Sequence, residues 1–403
     1  AANPVYTAAP IAGTWLDADL VGVAFDKPSI IVTPAEGALD LQVSIPRLVT
    51  DVDVYGEVVW FDFAQTVQVT ADPALITARL ILSGEDGTLI ASVEDAAVTL
   101  SDFGYDTSIL PSWIEDYFFT DSIRTSIEDA LIAQLEEMVP SLLAETLSGL
   151  ALDYEAELLG QSLTLAASFE TVAIDNAGVE IGVGVAVDVP SEGDKHYAGF
   201  LSAGATSPTP DTTSPMALSL PDDLLNRALF ELWRGGVGDV RMSTDDGTLD
   251  ATLFTDFPVK TATITTRADL PPVIVESDGL LELQLAELEL TIDTPGASVG
   301  DHLVAKVDLT AQLSIEVVGS ALGLQVGEVD IGMSILESDW GVTPDGLELL
   351  VMSFLSPTTI QEALDGLALE LPTLYGLSIT EAQVARADTG THTDVSLTVA
   401  VAE

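Results

Sequence analysis

Apolar side chains recur at every second position through most of this chain. Val67, Val69 and Ala71 do so, then Ile76, Ala78, Leu80 and Leu82, then Leu163, Leu165, Ala167 and Phe169, then Val179, Ile181, Val183, Val185 and Val187. A period of two puts one face of a segment in a core and the other in water, which predicts antiparallel strands. Leu281, Leu283 and Leu285 alternate, and Leu288, Leu290 and Ile292 resume one residue out of phase. The slip at Ala286-Glu287 predicts a bulge that bends one long strand.

The strands are punctuated by a weak repeat. Glu36-Gly37, Asp86-Gly87, Asp246-Gly247, Asp278-Gly279 and Asp345-Gly346 each precede an apolar run, and Asn176-Ala177-Gly178 does the same. Asp-Gly between alternating runs predicts a hairpin, because both turn residues then take positive φ. These sites lack the spaced carboxylates of a calcium loop.

Three segments switch to helical spacing. The longest is predicted over 112–150, where Ile123, Ile127, Leu131, Leu135, Met138, Leu142 and Leu147 form a stripe, Glu128, Asp129, Glu136 and Glu137 mark the wet face, and Pro140 is a kink or break. The second covers 222–233, with Leu225, Ala228, Leu229, Leu232 and Trp233 on one face and Gly235-Gly236 as its stop. The third covers 358–367, with Ile360, Ala363, Leu364 and Leu367 inward. Each half thus reads as strands, a helix and closing strands, with an extra helix opening the second half. A Pro/Ser/Thr-rich stretch at 200–215 separates a predicted domain 1–199 from a predicted domain 216–403.

Charge changes the picture more than size does. The 403 residues carry 65 acidic against 12 basic side chains, a formal charge of −53, yet 47% of the chain is hydrophobic. High apolar content argues for a folded chain rather than a disordered one. The acidity excludes nucleic-acid binding, since counterion release needs Lys and Arg. It suits a salty milieu, where a carboxylate-rich surface stays soluble while salt screens self-repulsion. Bulk binding of divalent cations is the other reading of that surface. There is no cysteine, hence no disulfide, thiolate metal site or cysteine nucleophile. No uncharged apolar run approaches the ~18 residues of a spanning helix. The opening Ala1-Ala2-Asn3-Pro4-Val5-Tyr6 has neither the charged leader nor the apolar core of a signal peptide, and reads as a trimmed terminus.

Catalytic chemistry is poorly represented. His196, His302 and His392 lie far apart, with no metal-ligand spacing or nucleophile elbow near them. Carboxylate pairs abound by composition alone, and no glycine-rich phosphate loop follows a strand. The expectation is a protein that is not an enzyme and that takes no metal or cofactor.

Residues 215–242 form a strand, a helix with the core Asn226-Arg227-Ala228-Leu229, and a glycine stop. This segment resembles the one that opens the second barrel of the bactericidal/permeability-increasing protein family, within the tubular lipid-binding (TULIP) superfamily. Further segments resemble that family in the same order: 82–100 its paired strands, 113–150 its long first-barrel helix, 269–292 with Leu270-Pro271-Pro272-Val273 its long second-barrel strand, and 356–401 its closing helix and terminal strand. The resemblance implies an elongated α+β fold of two barrels, each a curved antiparallel sheet wrapped on a long amphipathic helix, joined by a central sheet. It implies binding and transfer of phospholipid or a similar amphiphile in apolar grooves between helix and sheet. The implied lipid-binding residues are Ile123, Ile127, Leu131, Leu135 and Leu142 in the first groove, and Leu225, Leu229, Trp233, Ile360 and Leu364 in the second. Such stripes are equally what a filled core shows, and the alternative is a structural or adhesive surface protein with filled barrels. Trp113, Tyr117, Phe118 and Phe119 would plug a barrel end or sit at a membrane interface. Export is implied, to a periplasmic, outer-membrane-associated or extracellular space with transient membrane contact. The chain begins directly with Asn3-Pro4-Val5-Tyr6 where the family has an opening helix, so that either this helix was trimmed away or the first pocket is more open, and it departs further in lacking the family's cysteine pair and a basic tip. With four lysines and eight arginines scattered, lipopolysaccharide is not an expected partner.

Overall fold

A computed structural model describes residues 6–11, 14–58, 61–106, 121–148, 154–158, 161–190, 195, 199–202, 214–254, 259–298, 300–318, 321–341, 351–352, 355–371, 377–387 and 389–401. The fold is α+β, mostly antiparallel sheet with few helices. Two compact units divide the chain: Ala1–Gly149 with Ser168–Gly184, and Leu150–Ala167 with Val185–Glu403. The sequence places its boundary at the 200–215 stretch, whereas this division falls inside two long strands, β11 (Gln161–Ile174) and β12 (Val179–Asp188). A composition-based boundary marks loops, and here the chain changes unit while still in regular alternation.

In the first unit, β1 (Tyr6–Ile11), β2 (Thr14–Ala24), β5 (Leu48–Val58), β6 (Phe61–Ala71) and β9 (Gly104–Asp106) form one sheet in the order β1-β2-β5-β6-β9. A second sheet has the order β3-β4-β7-β8, from β3 (Ser29–Ala35), β4 (Ala38–Ile45), β7 (Ala74–Glu85) and β8 (Thr88–Leu100). Asp86 and Gly87 take φ of 50° and 78° between paired Glu85 and Thr88, the predicted two-residue hairpin. Val52, Val54, Val67, Val69, Ile76 and Leu100 are buried between strands and helix. The long helix is α1 (Asp121–Ser148), 28 residues with Pro140 inside it. Its Glu128 accepts a hydrogen bond from the backbone N–H of Leu100 at 3.2 Å, which ties it to β8.

Two sheets lie wholly in the second unit, and the division crosses a third. β10 (Tyr154–Leu158) pairs with β11, and β12 completes that sheet. β13 (Met216–Pro221), β22 (His392–Val401) and β21 (Leu377–Arg386) form another in that spatial order. The largest runs β14 (Arg241–Ser243), β15 (Thr263–Ala268), β17 (Leu280–Asp293), β18 (His302–Val318), β19 (Ala321–Ser338) and β20 (Leu369–Glu370), with β16 (Val273–Ser277) also on β17. The register of β17 against β18 jumps between Leu285 and Leu288, and Glu287 takes a φ of 55°, so the predicted phase slip is a bulge. Asp278 and Gly279 close the β16–β17 hairpin with φ of 52° and 81°. Ile292 and Leu303, fully buried on facing positions, contribute roughly 1.5–3 kcal/mol each.

Asp246-Gly247 is not a hairpin. Asp246 Oδ1 accepts from the Thr248 N–H at 3.0 Å, a local turn that leads from β14 into the 3-10 segment Ala251–Phe254. Asp345-Gly346 and Trp113, Tyr117, Phe118 and Phe119 lie outside the described residues.

Candidate functional site

The helix α2 (Asp222–Arg234) is buried on two sides, and this determines what it carries. Leu229, Phe230 and Trp233 enter the main core of the second unit. Ala228 and Leu232 pack instead with Leu163, Val187 and Val189. Its end is a Schellman motif: Gly236 N donates to Trp233 O and Val237 N to Leu232 O, both at 3.0 Å, with Gly236 at φ 97°. Polar residues on so buried a helix all have partners. Asn226 bonds the Ile274 backbone, and Trp233 Nε1 donates to Ala268 O at 2.8 Å. Glu231 is held by Arg227 at 2.6 Å and Arg234 at 2.8 Å. Asp222 and Arg386 form a two-pronged ion pair at 2.7 and 2.8 Å. Burial works against the Arg386 charge, but hydrogen bonds and charge from Asp222, with Glu276 behind, hold its pKa above the ordinary value.

Between this helix and the sheets lies an apolar pocket. Leu163 and Leu165 from β11, Leu220 from β13, Leu224, Leu225 and Ala228 from α2, Ile315 from β18, and Leu322, Gly323 and Leu324 from β19 line it. Leu367, Ala368 and Leu369 form the remaining wall. Its cavity volume is about 50 Å³. Among the described residues, no ionisable side chain lines it. The wall at 367–369 follows the helix α3 (Pro357–Leu364), whose Ser356 cap accepts from Thr359 N at 3.2 Å. Gln361 fastens α3 to the edge of β19, donating to Leu324 O at 2.8 Å and accepting from Val326 N at 2.7 Å.

Of the residues predicted for the second groove, Leu225 lines this pocket. Leu229, Trp233, Ile360 and Leu364 are 7%, 1%, 9% and 5% exposed and sit in the core behind it. In the first unit, Ile127 is buried, with Leu131 and Leu135 packed against the same cluster. Leu142 is 53% exposed, so the helical stripe runs on past its packed part. Ile123 lies on α1, but its side chain is outside the described set.

The first unit also exposes apolar surface that helical spacing does not reveal. Val23 pairs with Thr50, Ile30 with Val43 and onward Ile76, and Val32 with Leu41 and onward Ala78. Cross-strand partners point to the same face, and Thr50, Ile76 and Ala78 are buried. Val23, Ile30 and Val32 therefore lie on the core-facing side, yet are 52%, 63% and 50% exposed. Phe25 beside them is 53% exposed. The strand pairings set Val23, Ile30 and Val32 on that side, and the packing shows that little covers them.

Among the described residues, no group of three or more His, Cys, Asp or Glu side chains could hold a metal ion, and no helix is long and apolar enough to cross a membrane. No protein-family model matches the sequence, and no curated protein matches it. Among solved structures, a lipopolysaccharide binding protein aligns over 98% of this chain and 92% of its own, with 13% identity and a TM-score of 0.47. P47 of Clostridium botulinum E1 aligns over 97% and 92% with 10% identity and a TM-score of 0.27. P47 from Clostridium botulinum A2 gives 97%, 90%, 10% and 0.23.

Proposed function

We propose that this protein binds a lipid or similar amphiphile without catalysing its conversion, the apolar tail held in the pocket of the second unit. The observation that carries this reading is a pocket walled by apolar side chains from six elements, with no ionisable group among them. Each methylene moved from water into such surroundings contributes about 0.8 kcal/mol, so the end of an apolar tail gains by entering without any polar contact. The exposed apolar face at Val23, Phe25, Ile30 and Val32 supports a second contact with apolar ligand or membrane in the first unit. Transfer of phospholipid, the two-barrel arrangement of the family resembled, export and transient membrane contact belong to the same proposal.

A filled-core scaffold or adhesive protein is the second reading. The small enclosed volume and the burial of Leu229, Trp233, Ile360 and Leu364 favour it. Titration with Nile red, an uncharged dye that brightens in apolar surroundings, separates the two. Amphiphile binding predicts saturable, blue-shifted emission that an added lipid displaces. A linear, unsaturable response leaves the scaffold reading.

A further inference from the structure

We propose that the free edge of β3 is a docking strand for a second copy of this chain, the two copies pairing antiparallel through Ser29–Thr33 with Ile31 opposite its own counterpart. β3 is the outer strand of its sheet, and among the described residues no strand pairs with its other edge. Every second backbone N–H and C=O of β3 points to that edge. Ser29 to Thr33 are all exposed, with Ile30, Ile31 and Val32 at 63%, 53% and 50%. The opposite edge of the same sheet is protected. There β8 carries Glu94 and Asp95, is bulged where Asp95 takes a φ of 50°, and is tied at Leu100 to Glu128 of α1. On β3 such safeguards stand only at the ends, Lys27 before the strand and Pro34 near its close. They confine pairing to the stretch between them.

The two sides of the strand decide between a second strand and a bilayer. Ile30 and Val32 lie on the core-facing side. Ile31 pairs with Gln42 and onward with the exposed Thr77, and so lies on the other side. A membrane laid against the core-facing side leaves Ile31 in water. A strand added at the edge covers part of both sides through cross-strand pairs. Charge then selects the strand. On a chain at −53, no charged residue stands between Lys27 and Glu36. Self-pairing about Ile31 sets Ile30 of one copy against Val32 of the other, with no like charges opposed along the strand. It also brings the exposed Lys27 of each copy opposite Ala35 of the other, one residue from the exposed Glu36. Asp26 falls opposite that Glu36, but its charge is already met by Arg47. The pairing is isologous, so it closes at two copies. It joins the two sheets edge to edge and sets their exposed core-facing side chains in one wider apolar face.

Sedimentation equilibrium of the full chain tests this at about 0.1 M and 1 M sodium chloride. Salt screens the repulsion between two acidic copies, so dimers are expected in 1 M salt, at least about tenfold tighter than in 0.1 M. Ile31→Lys changes a side chain on the solvent side, and circular dichroism would confirm that the variant folds. It opposes lysine to lysine and should weaken the dimer about tenfold or more. The chain has no cysteine, so Ile31→Cys gives a second readout. With oxidised glutathione as oxidant it should form a disulfide-linked dimer, since facing residues of paired strands lie within bonding reach. Val318→Cys, at a β18 position 58% exposed, should not. Monomers in 1 M salt at about 100 µM overturn the inference. Dimers undiminished in Ile31→Lys, or Ile31→Cys linking no faster than Val318→Cys, place the contact elsewhere and overturn it too. A monomer that floats with phosphatidylcholine vesicles, and no longer does so as Ile31→Lys, assigns the strand to a membrane and overturns it as well.

Discussion

Asn226 and Ile274 form a closed two-bond pair: the amide Nδ2 of Asn226 donates to the Ile274 carbonyl at 2.9 Å, and its Oδ1 accepts from the Ile274 N–H at 2.6 Å. A side-chain amide thus does for β16 what a neighbouring strand would do, in a place where water does not reach. Both residues are buried, Asn226 at 2% and Ile274 at 1% exposure. Asn226→Ala leaves both backbone groups unpaired, and the expected loss is about 3 kcal/mol by urea denaturation. Asn226→Asp keeps the shape but sets a carboxylate oxygen against the Ile274 carbonyl, and is expected to cost at least as much.

The Asp222–Arg386 pair joins the first turn of α2 to β21, and Arg386 also donates to Gly390 O at 2.8 Å and Thr393 Oγ1 at 2.9 Å. Asp222 has only 3% of its side chain exposed. Asp222→Ala leaves the largely buried Arg386 guanidinium with Glu276 at 3.5 Å as its acidic partner, and is expected to cost about 3 kcal/mol. Replacing both residues with Leu and Met should cost less than Asp222→Ala alone. Equal losses in the single and double variants would mean that the cost lies in packing rather than in the poorly balanced charge.

Salt should stabilise this protein. At −53 the surface repels itself, and raising ionic strength from 0.1 M to 1 M shortens the screening distance from about 10 Å to about 3 Å. The melting temperature is expected to rise by several degrees over that range, in sodium chloride and potassium chloride alike. A rise seen only with divalent salts would point to specific cation binding instead.

Two surface groups give the pH dependence opposite signs. His302 Nδ1 lies 2.7 Å from Asp293 Oδ1, and that hydrogen bond outweighs desolvation and, with the charges of Asp293, Glu337 and Asp339, raises the imidazole pKa. Its stabilisation is complete below the ordinary histidine value and is lost as pH rises through the raised one. Asp269 is lowered, first by its hydrogen bond from Lys306 at 3.0 Å and then by Arg267 at 2.9 Å. Its stabilisation is complete above the ordinary aspartate value and is lost as pH falls through the lowered one. NMR titration should place the two on opposite sides of their ordinary values, and Lys306→Ala should return Asp269 toward its own.

Local features of the fold are legible in the sequence because they depend on neighbours along the chain. The bulge at Glu287 follows from a phase slip, the turns at Asp86-Gly87 and Asp278-Gly279 from residues that tolerate positive φ, and the end of α2 from Gly236. The pocket is only partly legible. A helical stripe says that Leu225 and Leu229 both face inward, but not which meets a void and which a packed neighbour. Leu163, Ile315 and Leu322 come to the same wall from three distant strands, and an alternating pattern holds no record of that meeting. Val23 and Ile30 show another limit: only the strand register sets them on the core-facing side, and they are exposed because little packs over that edge.

The most direct test of amphiphile binding is the native mass of the protein, purified without detergent, before and after incubation with lipid, followed by extraction and identification of whatever it carries. The account predicts a discrete added mass that extraction removes. A mass equal to that of the bare chain in both samples would contradict it and leave a filled scaffold in its place.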